Sequence, residues 1–191
     1  MSATGKDSWD SFRIWGVGFF LSVLLVMLTW LVYWLMSGSA SEFYTLAQEA
    51  YESRDYEVAL EKFRSFAKSY PKEEKASAAK VFAAIAEIRQ ANDQLGDPAR
   101  AIDTSATVLP TVVNEPAMSD SGIRADLAST LVSVAEKMVQ RADSAKTTEE
   151  RKKYIEKLDE QVVLMRNPQY IPNANRITNE SRIKTIDEER A

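Results

Sequence analysis

The apolar positions of the chain follow two different patterns, and the first is a continuous run near the N-terminus. Residues 14–41 carry no charged side chain, and within residues 14–36 the only aliphatic side chains with a hydroxyl group are Ser22 and Thr29. At about 1.5 Å per residue, a helix over residues 14–36 is roughly 34 Å long, slightly more than the hydrocarbon core of a bilayer at about 30 Å. The run therefore predicts a transmembrane helix over residues 14–36 that contacts membrane lipid.

The length of this run decides between a membrane anchor and two alternatives. The small residues Gly38, Ser39 and Ala40 offer a cleavage site for a signal peptide, but the apolar region of a signal peptide is only about 7–15 residues long. A helix buried in a protein core is the second alternative, and about 18 or more uninterrupted apolar residues favour a membrane span over it. We therefore expect an anchor that is retained.

The basic residues beside the run predict its orientation. Lys6 and Arg13 precede it, whereas no Lys or Arg follows it until Arg54. Because the cytoplasmic flanks of membrane helices are rich in Lys and Arg, residues 1–13 are expected to form a cytoplasmic tail. The chain after a short linker at residues 37–41 is then expected outside the cytoplasm. In a bacterium this is an inner-membrane protein with a periplasmic C-terminal domain.

After the linker, apolar residues recur at helical spacing, and strand patterns are missing. Two stripes come first, formed by Phe43, Leu46, Ala47, Ala50 and Tyr51 and then by Ala59, Phe63, Phe66, Ala67 and Tyr70. Each stripe lies on one helix face and needs a partner face. The pattern predicts an all-α fold, with the transmembrane helix followed by a solenoid of α-helical hairpins over residues 42–166. A loop and a charged C-terminal helix are predicted over residues 167–191.

The first two of these helices resemble a tetratricopeptide repeat. The 34-residue unit at 40–73 has a tight turn at residues 53–55 and Pro71 at the terminating position, and Ala47 stands where the family most often has glycine. The other matching positions are Phe43, Leu46 and Ala50 in the first helix and Ala59, Phe63 and Phe66 in the second. The resemblance implies stacked hairpins whose first helices line a groove for extended peptides or partner helices.

The later hairpins follow the same pattern more loosely. Asp97 stands in the second unit where Asp55 stands in the first. Residues 110–122 are predicted to form a loop because they contain prolines, a glycine and a cluster of Asp and Ser. A long helix follows the loop. Thr147, with a glutamate three residues later, has the spacing of a capping box for a last long helix, which is expected to end at residues 167–168, an Asn-Pro pair.

Composition narrows the chemistry that the chain can perform. It contains no Cys and no His, which excludes disulfides, thiolate nucleophiles, His bases and nearly every zinc, copper or haem site. Its 24 basic and 28 acidic residues give a net charge of −4, which argues against nucleic acid as the main partner. Ser65 with Lys68 and Ser77 with Lys80 have the spacing of serine acyl enzymes, but the companion motifs are missing. We expect no enzymatic activity, cofactor or metal.

The groove implied by the resemblance is then the candidate functional surface. Tyr44, Gln48 and Tyr51 occupy its side of the first helix, where tyrosine rings offer a large contact area and the amide pairs with backbone groups. The expected function is that of a membrane-anchored, protein-binding scaffold or assembly factor with an unidentified protein partner. The alternative is a structural subunit that self-associates as a homo-oligomer or is built into a larger membrane complex.

Overall fold

The structure, a computed structural model, describes residues 19–31 and 40–190 of the 191-residue chain. The chain divides into two units, Met1–Ala40 and Ser41–Ala191. In the first unit residues 19–31 are helical, and their side chains are exposed. In the second unit the described residues form helices joined by turns and loops, with no strand, which agrees with the all-α expectation.

One finding contradicts two predictions, the transmembrane helix over residues 14–36 and the localisation as a single-pass membrane protein; both are wrong. Among the helices at residues 19–31 and 40–190, none is long and apolar enough to cross a membrane. Residues 14–18 and 32–36 of the predicted span lie outside the described residues, as do the tail at 1–13 and most of the linker.

The second unit consists of consecutive helical hairpins. Helices α1 (Ala40–Glu52) and α2 (Tyr56–Ser69) form the first hairpin. The second consists of α3 (Ala76–Arg89), which a π-helix (Gln90–Gln94) extends, and α4 (Pro98–Val112). A 3-10 helix (Pro116–Ser119) leads to the long pair α5 (Ser121–Asp143) and α6 (Thr148–Arg166). The short helices α7 (Asn173–Thr178) and α8 (Glu180–Arg190) follow. The arrangement is repeat-like.

The hairpin turns repeat the same local chemistry. Arg54 and Gly96 adopt left-handed backbone conformations, with φ of 64° and 62°, and each is followed by an aspartate. Asp55 accepts a hydrogen bond from the backbone N–H of Val58, and Asp97 accepts one from that of Arg100. Both side chains therefore cap a helix by satisfying an N–H group that has no partner inside it. The turn predicted at residues 53–55 is confirmed, and so is the correspondence of the two aspartates.

The ends of two helices were predicted with unequal success. Thr147 accepts a hydrogen bond from the Glu150 N–H at 3.1 Å, and α6 ends at Arg166, so both predicted ends of this helix are confirmed. Pro110, by contrast, lies inside α4, which continues to Val112. The predicted loop at 110–122 therefore begins later, and the 3-10 helix and the start of α5 lie within it.

The core is centred on α3, which is buried on nearly every side. It packs against α2, α4, α5 and the 3-10 helix, while α6 and α8 pack against α5. The largest buried side chains of this core are Ile85, Ile88, Ile102, Leu109, Leu127, Leu131, Met138, Leu158, Ile171 and Ile186. On helix α1, Tyr44 and Ala47 are buried and Tyr44 contacts Phe63 and Phe66 of α2, whereas Phe43 and Leu46 are exposed. The matching positions Phe43 and Leu46, expected to pack inside the hairpin, therefore lie on the outer face of α1.

Candidate protein-interaction surface

Tyr44 lies inside the first hairpin. Its side chain is buried, and its ring meets those of Phe63 and Phe66 edge-on, with centroids 5.7 and 5.3 Å apart. The ammonium group of Lys75 lies 4.8 Å from the centroid of the Tyr44 ring. Burial raises the pKa of the Tyr44 hydroxyl. The ring thus contributes to packing in this structure, because little of it is open to a partner.

Tyr51 links the first hairpin to the third. Its ring contacts the rings of Phe63 and Phe82 edge-on, at 6.2 and 5.4 Å between centroids. Its hydroxyl donates a hydrogen bond to a carboxylate oxygen of Asp126 on α5. Burial raises the pKa of Tyr51, and the negative charge of Asp126 raises it further. The hydroxyl therefore stays protonated and keeps donating well into the alkaline range.

Arg89 completes this contact between helices. Its guanidinium group donates to the second carboxylate oxygen of Asp126, and its Nε donates to Oγ1 of Thr130 at 2.9 Å. The guanidinium carbon lies 5.1 Å from the centroid of the Tyr51 ring and 5.8 Å from that of Tyr56. The guanidinium group of Arg89 therefore takes part in both cation–π contacts and an ion pair, and these contacts connect α3 with α1 and α5.

The polar contacts continue along α5 toward the turn at Gly96. Lys137 donates to the backbone carbonyl of Asn92 at 2.9 Å and to the carboxylate of Asp93 at 2.7 Å. Arg141 donates to the carbonyl of Gly96 at 2.8 Å. Side chains of α5 thus donate hydrogen bonds to backbone carbonyl groups of the π-helix and the following turn. Carbonyl groups at the end of a helix need such donors because they have no partner inside the helix.

The three predicted partner-binding residues are therefore placed differently from one another. Tyr44 is buried, Tyr51 is hydrogen-bonded to Asp126, and Gln48 is half-buried. Their role in partner binding stays a prediction. The pairing of Tyr51 with Asp126 could not be found from the sequence, because the two residues are 75 positions apart and helical periodicity reports only on neighbours within a helix.

One of the two pairs with the spacing of a serine acyl enzyme, Ser77 and Lys80, takes part in other contacts. The hydroxyl of Ser77 accepts a hydrogen bond from the backbone N–H of Ala117 at 2.9 Å, and Lys80 pairs with Glu115 at 2.7 Å. Both side chains thereby hold the segment after α4 against α3. Within residues 19–31 and 40–190, no group of three or more carboxylates is arranged to hold a metal ion.

No protein-family model, curated protein or solved structure matches this chain. The resemblance to the tetratricopeptide repeat therefore stays a prediction, which rests on the residues of the unit at 40–73.

An open apolar face remains on the outer side of α1. Phe43 and Leu46 are 36% and 42% exposed, and the ring of Phe43 lies 6.4 Å from that of Tyr70, between centroids. The two residues are three positions apart, so they lie on one face of the helix. Glu42 and Glu49 lie beside them, and α1 contains no Lys or Arg. This patch, named here the α1 face, is apolar at its centre and acidic at its border.

Proposed function

We propose that this chain is a helical-repeat module, of the tetratricopeptide type, that binds a protein partner. The α1 face is the observation that carries the proposal. In stacked helical hairpins each apolar face is covered by the neighbouring hairpin, whereas Phe43 and Leu46 are exposed at the first hairpin of the stack. An amphipathic partner helix buries such a pair of side chains in the same way as a further hairpin.

The charge around the α1 face specifies the kind of helix that fits it. Glu42 and Glu49 lie beside the apolar pair, and α1 contains no Lys or Arg, so the border that α1 itself supplies is acidic. Opposite charge around an apolar contact speeds association and rejects wrong partners. The partner is therefore an amphipathic helix whose apolar stripe is bordered by Lys or Arg.

Site-specific photocrosslinking tests the proposal. Benzoylphenylalanine is introduced in place of Leu46, and as a matched control in place of Glu57, an exposed residue on α2. In the source cells we expect a defined adduct with another protein from position 46 and none from position 57. The variant Leu46→Asp, which keeps the helix content by circular dichroism, should lose the partner in co-purification.

Two other outcomes have definite meanings. An adduct between two copies of this chain supports the alternative, a structural subunit that self-associates. Equal labelling from positions 46 and 57 overturns the assignment of the α1 face, because a specific surface must crosslink more than an unrelated exposed residue.

A further inference from the structure

The last two described helices, α7 and α8, share an open groove with a volume of about 820 Å³. Its lining follows one face of both helices, although Asn179 separates them. Ile177 lines the groove and is 71% exposed, whereas Ile183, which also lines it, packs partly against the core. The groove therefore offers a small apolar contact, and its charged side chains determine what fits it.

The charges that line the groove alternate in sign along the chain. At intervals of four residues they are Arg176, Glu180, Lys184 and Glu188. Side chains four residues apart on a helix are neighbours on one face. A further acidic residue, Asp187, pairs with Arg166 of α6 at 3.2 Å. The four alternating charges sum to zero, so the groove has no preference for a partner of one sign.

These four charges make few contacts within the chain. In the part of the chain that the structure describes, Arg176 and Glu180 form no ion pair. Lys184 and Glu188 form one at 3.7 Å, with side chains that are 76% and 66% exposed. An ion pair this exposed contributes little to stability, so exchanging it for a contact with another molecule costs little.

A second copy of the same face matches these charges in one orientation. When two copies run antiparallel about a two-fold axis at the level of residue 182, position 176 meets position 188 of the other copy, and position 180 meets position 184. Each of these contacts joins a cation to an anion, and the two-fold axis repeats it. Parallel copies in register would place each charge opposite its own kind, which is unfavourable. The alternation therefore selects the antiparallel arrangement.

We propose that the groove of α7 and α8 binds the same groove of a second copy of this chain in an antiparallel arrangement. Arg176 pairs with Glu188 of the other copy. Glu180 pairs with Lys184 of the other copy, and the contact covers Ile177. The surface extends about 23 Å along the helices at about 1.5 Å per residue. Small interfaces are typical of transient complexes, so monomer and dimer exchange. The proposal does not depend on the α1 face, and it gives self-association a defined surface.

Carbodiimide crosslinking of the full chain tests the contact directly, because the reagent joins an amine to a carboxylate that lies against it. An equal mixture of isotope-labelled and unlabelled protein is treated, and its tryptic peptides are analysed by mass spectrometry. We expect a crosslink between Lys184 and Glu180 in which one peptide is labelled and the other is not, since only a contact between two copies produces it. Lys152, an exposed cation on α6, is the matched control and should give no such mixed product.

Charge reversal separates this contact from general attraction between charges. Glu180→Lys and Lys184→Glu each place like charges opposite one another at two points of the dimer. Each should weaken dimerisation in sedimentation velocity about 2- to 30-fold, the effect of two exposed charge contacts. An equal mixture of the two variants restores opposite charges at both points and should restore the dimer. The matched control Glu156→Lys, at an exposed residue of α6, should leave dimerisation unchanged.

Three results would overturn the proposal. They are the lack of a mixed product between Lys184 and Glu180, an equal yield of mixed product from Lys152, and a mixture of the two variants that dimerises no better than either variant alone. Photocrosslinking from position 46 probes a different helix, so either proposal can fail without the other.

Discussion

The hydrogen bond from Tyr51 to Asp126 gives the sharpest prediction about this fold. Tyr51→Phe removes one hydroxyl and keeps the ring, together with its contacts to Phe63 and Phe82. The variant therefore leaves a carboxylate oxygen of Asp126 without its donor and creates only a small change in volume. Any loss of stability then reports on the contact between the first and third hairpins.

The magnitude follows from the kind of bond and from its burial. A hydrogen bond to a charged group contributes about 1.5–3 kcal/mol when buried. The Asp126 side chain is 27% exposed, so water replaces part of the lost bond. We expect Tyr51→Phe to lower the free energy of unfolding by about 1–2 kcal/mol at neutral pH.

The pH dependence adds a second, independent signature. The pKa of Tyr51 is raised in the folded protein from the ordinary value of 10.0, chiefly by burial and then by the charge of Asp126. Above pH 10 the unfolded state loses this proton while the folded state keeps it, so the stability of the unmodified protein falls as the pH rises. One pH unit above the unfolded value this loss is about 1.4 kcal/mol. The phenylalanine variant does not undergo it.

Urea unfolding followed by far-ultraviolet circular dichroism at pH 7 and pH 11 measures both effects. The stability gap between the protein and Tyr51→Phe should shrink by about 1.4 kcal/mol between the two conditions. Tyr154→Phe is the control at pH 7, because its hydroxyl donates to Glu150 one turn away in the same helix and should contribute no more than about 0.5 kcal/mol. Equal stability of Tyr51→Phe and the unmodified protein at pH 7, or a gap that does not change with pH, would refute the reasoning.

Three further predictions concern other parts of the fold. Phe63→Ala should cost about 3–5 kcal/mol in urea unfolding, because the ring is fully buried among aromatic neighbours; a cost below 1 kcal/mol would contradict this packing. Arg54→Gly should raise the stability by about 0.5–1 kcal/mol, since glycine adopts the φ of 64° without steric cost, and no gain in the same assay would count against the turn geometry. Arg182→Ala removes the two 2.6 Å bonds to Glu136 and should speed amide hydrogen exchange in α8 about fivefold, for a contact of about 1 kcal/mol; unchanged exchange there would exclude this anchoring role.

Sequence reasoning succeeded where the deciding interactions are local. The ends of α6 and the turn before α2 depend on capping groups within a few residues, so Thr147 and Asp55 predict them directly. Pro110 was misread for a related reason. It stands near the end of α4, where the helix is about to stop in any case, and the chain continues as a helix for two residues beyond it.

The packing face of α1 and the contacts of Tyr51 depend on interactions that no local pattern contains. Helix α1 has two adjacent apolar stripes, and periodicity alone cannot tell which one faces the core. Tyr44 and Ala47 turn inward because Phe63 and Phe66 of α2 receive the Tyr44 ring.

The membrane prediction counted apolar residues over 14–36 and assumed one continuous helix, whereas no helix in the parts of the chain that the structure describes meets the requirement for spanning a bilayer.

The hydrogen bond between Tyr51 of α1 and Asp126 of α5 affects how the domain unfolds. In a simple solenoid each repeat touches only its neighbours, so terminal repeats fray while the middle stays folded. Here Tyr51 fastens the opening hairpin to the third one, across the buried helix α3. Separation of the opening hairpin must therefore also break this contact with α5, and residues 41–190 are expected to melt in a single cooperative transition.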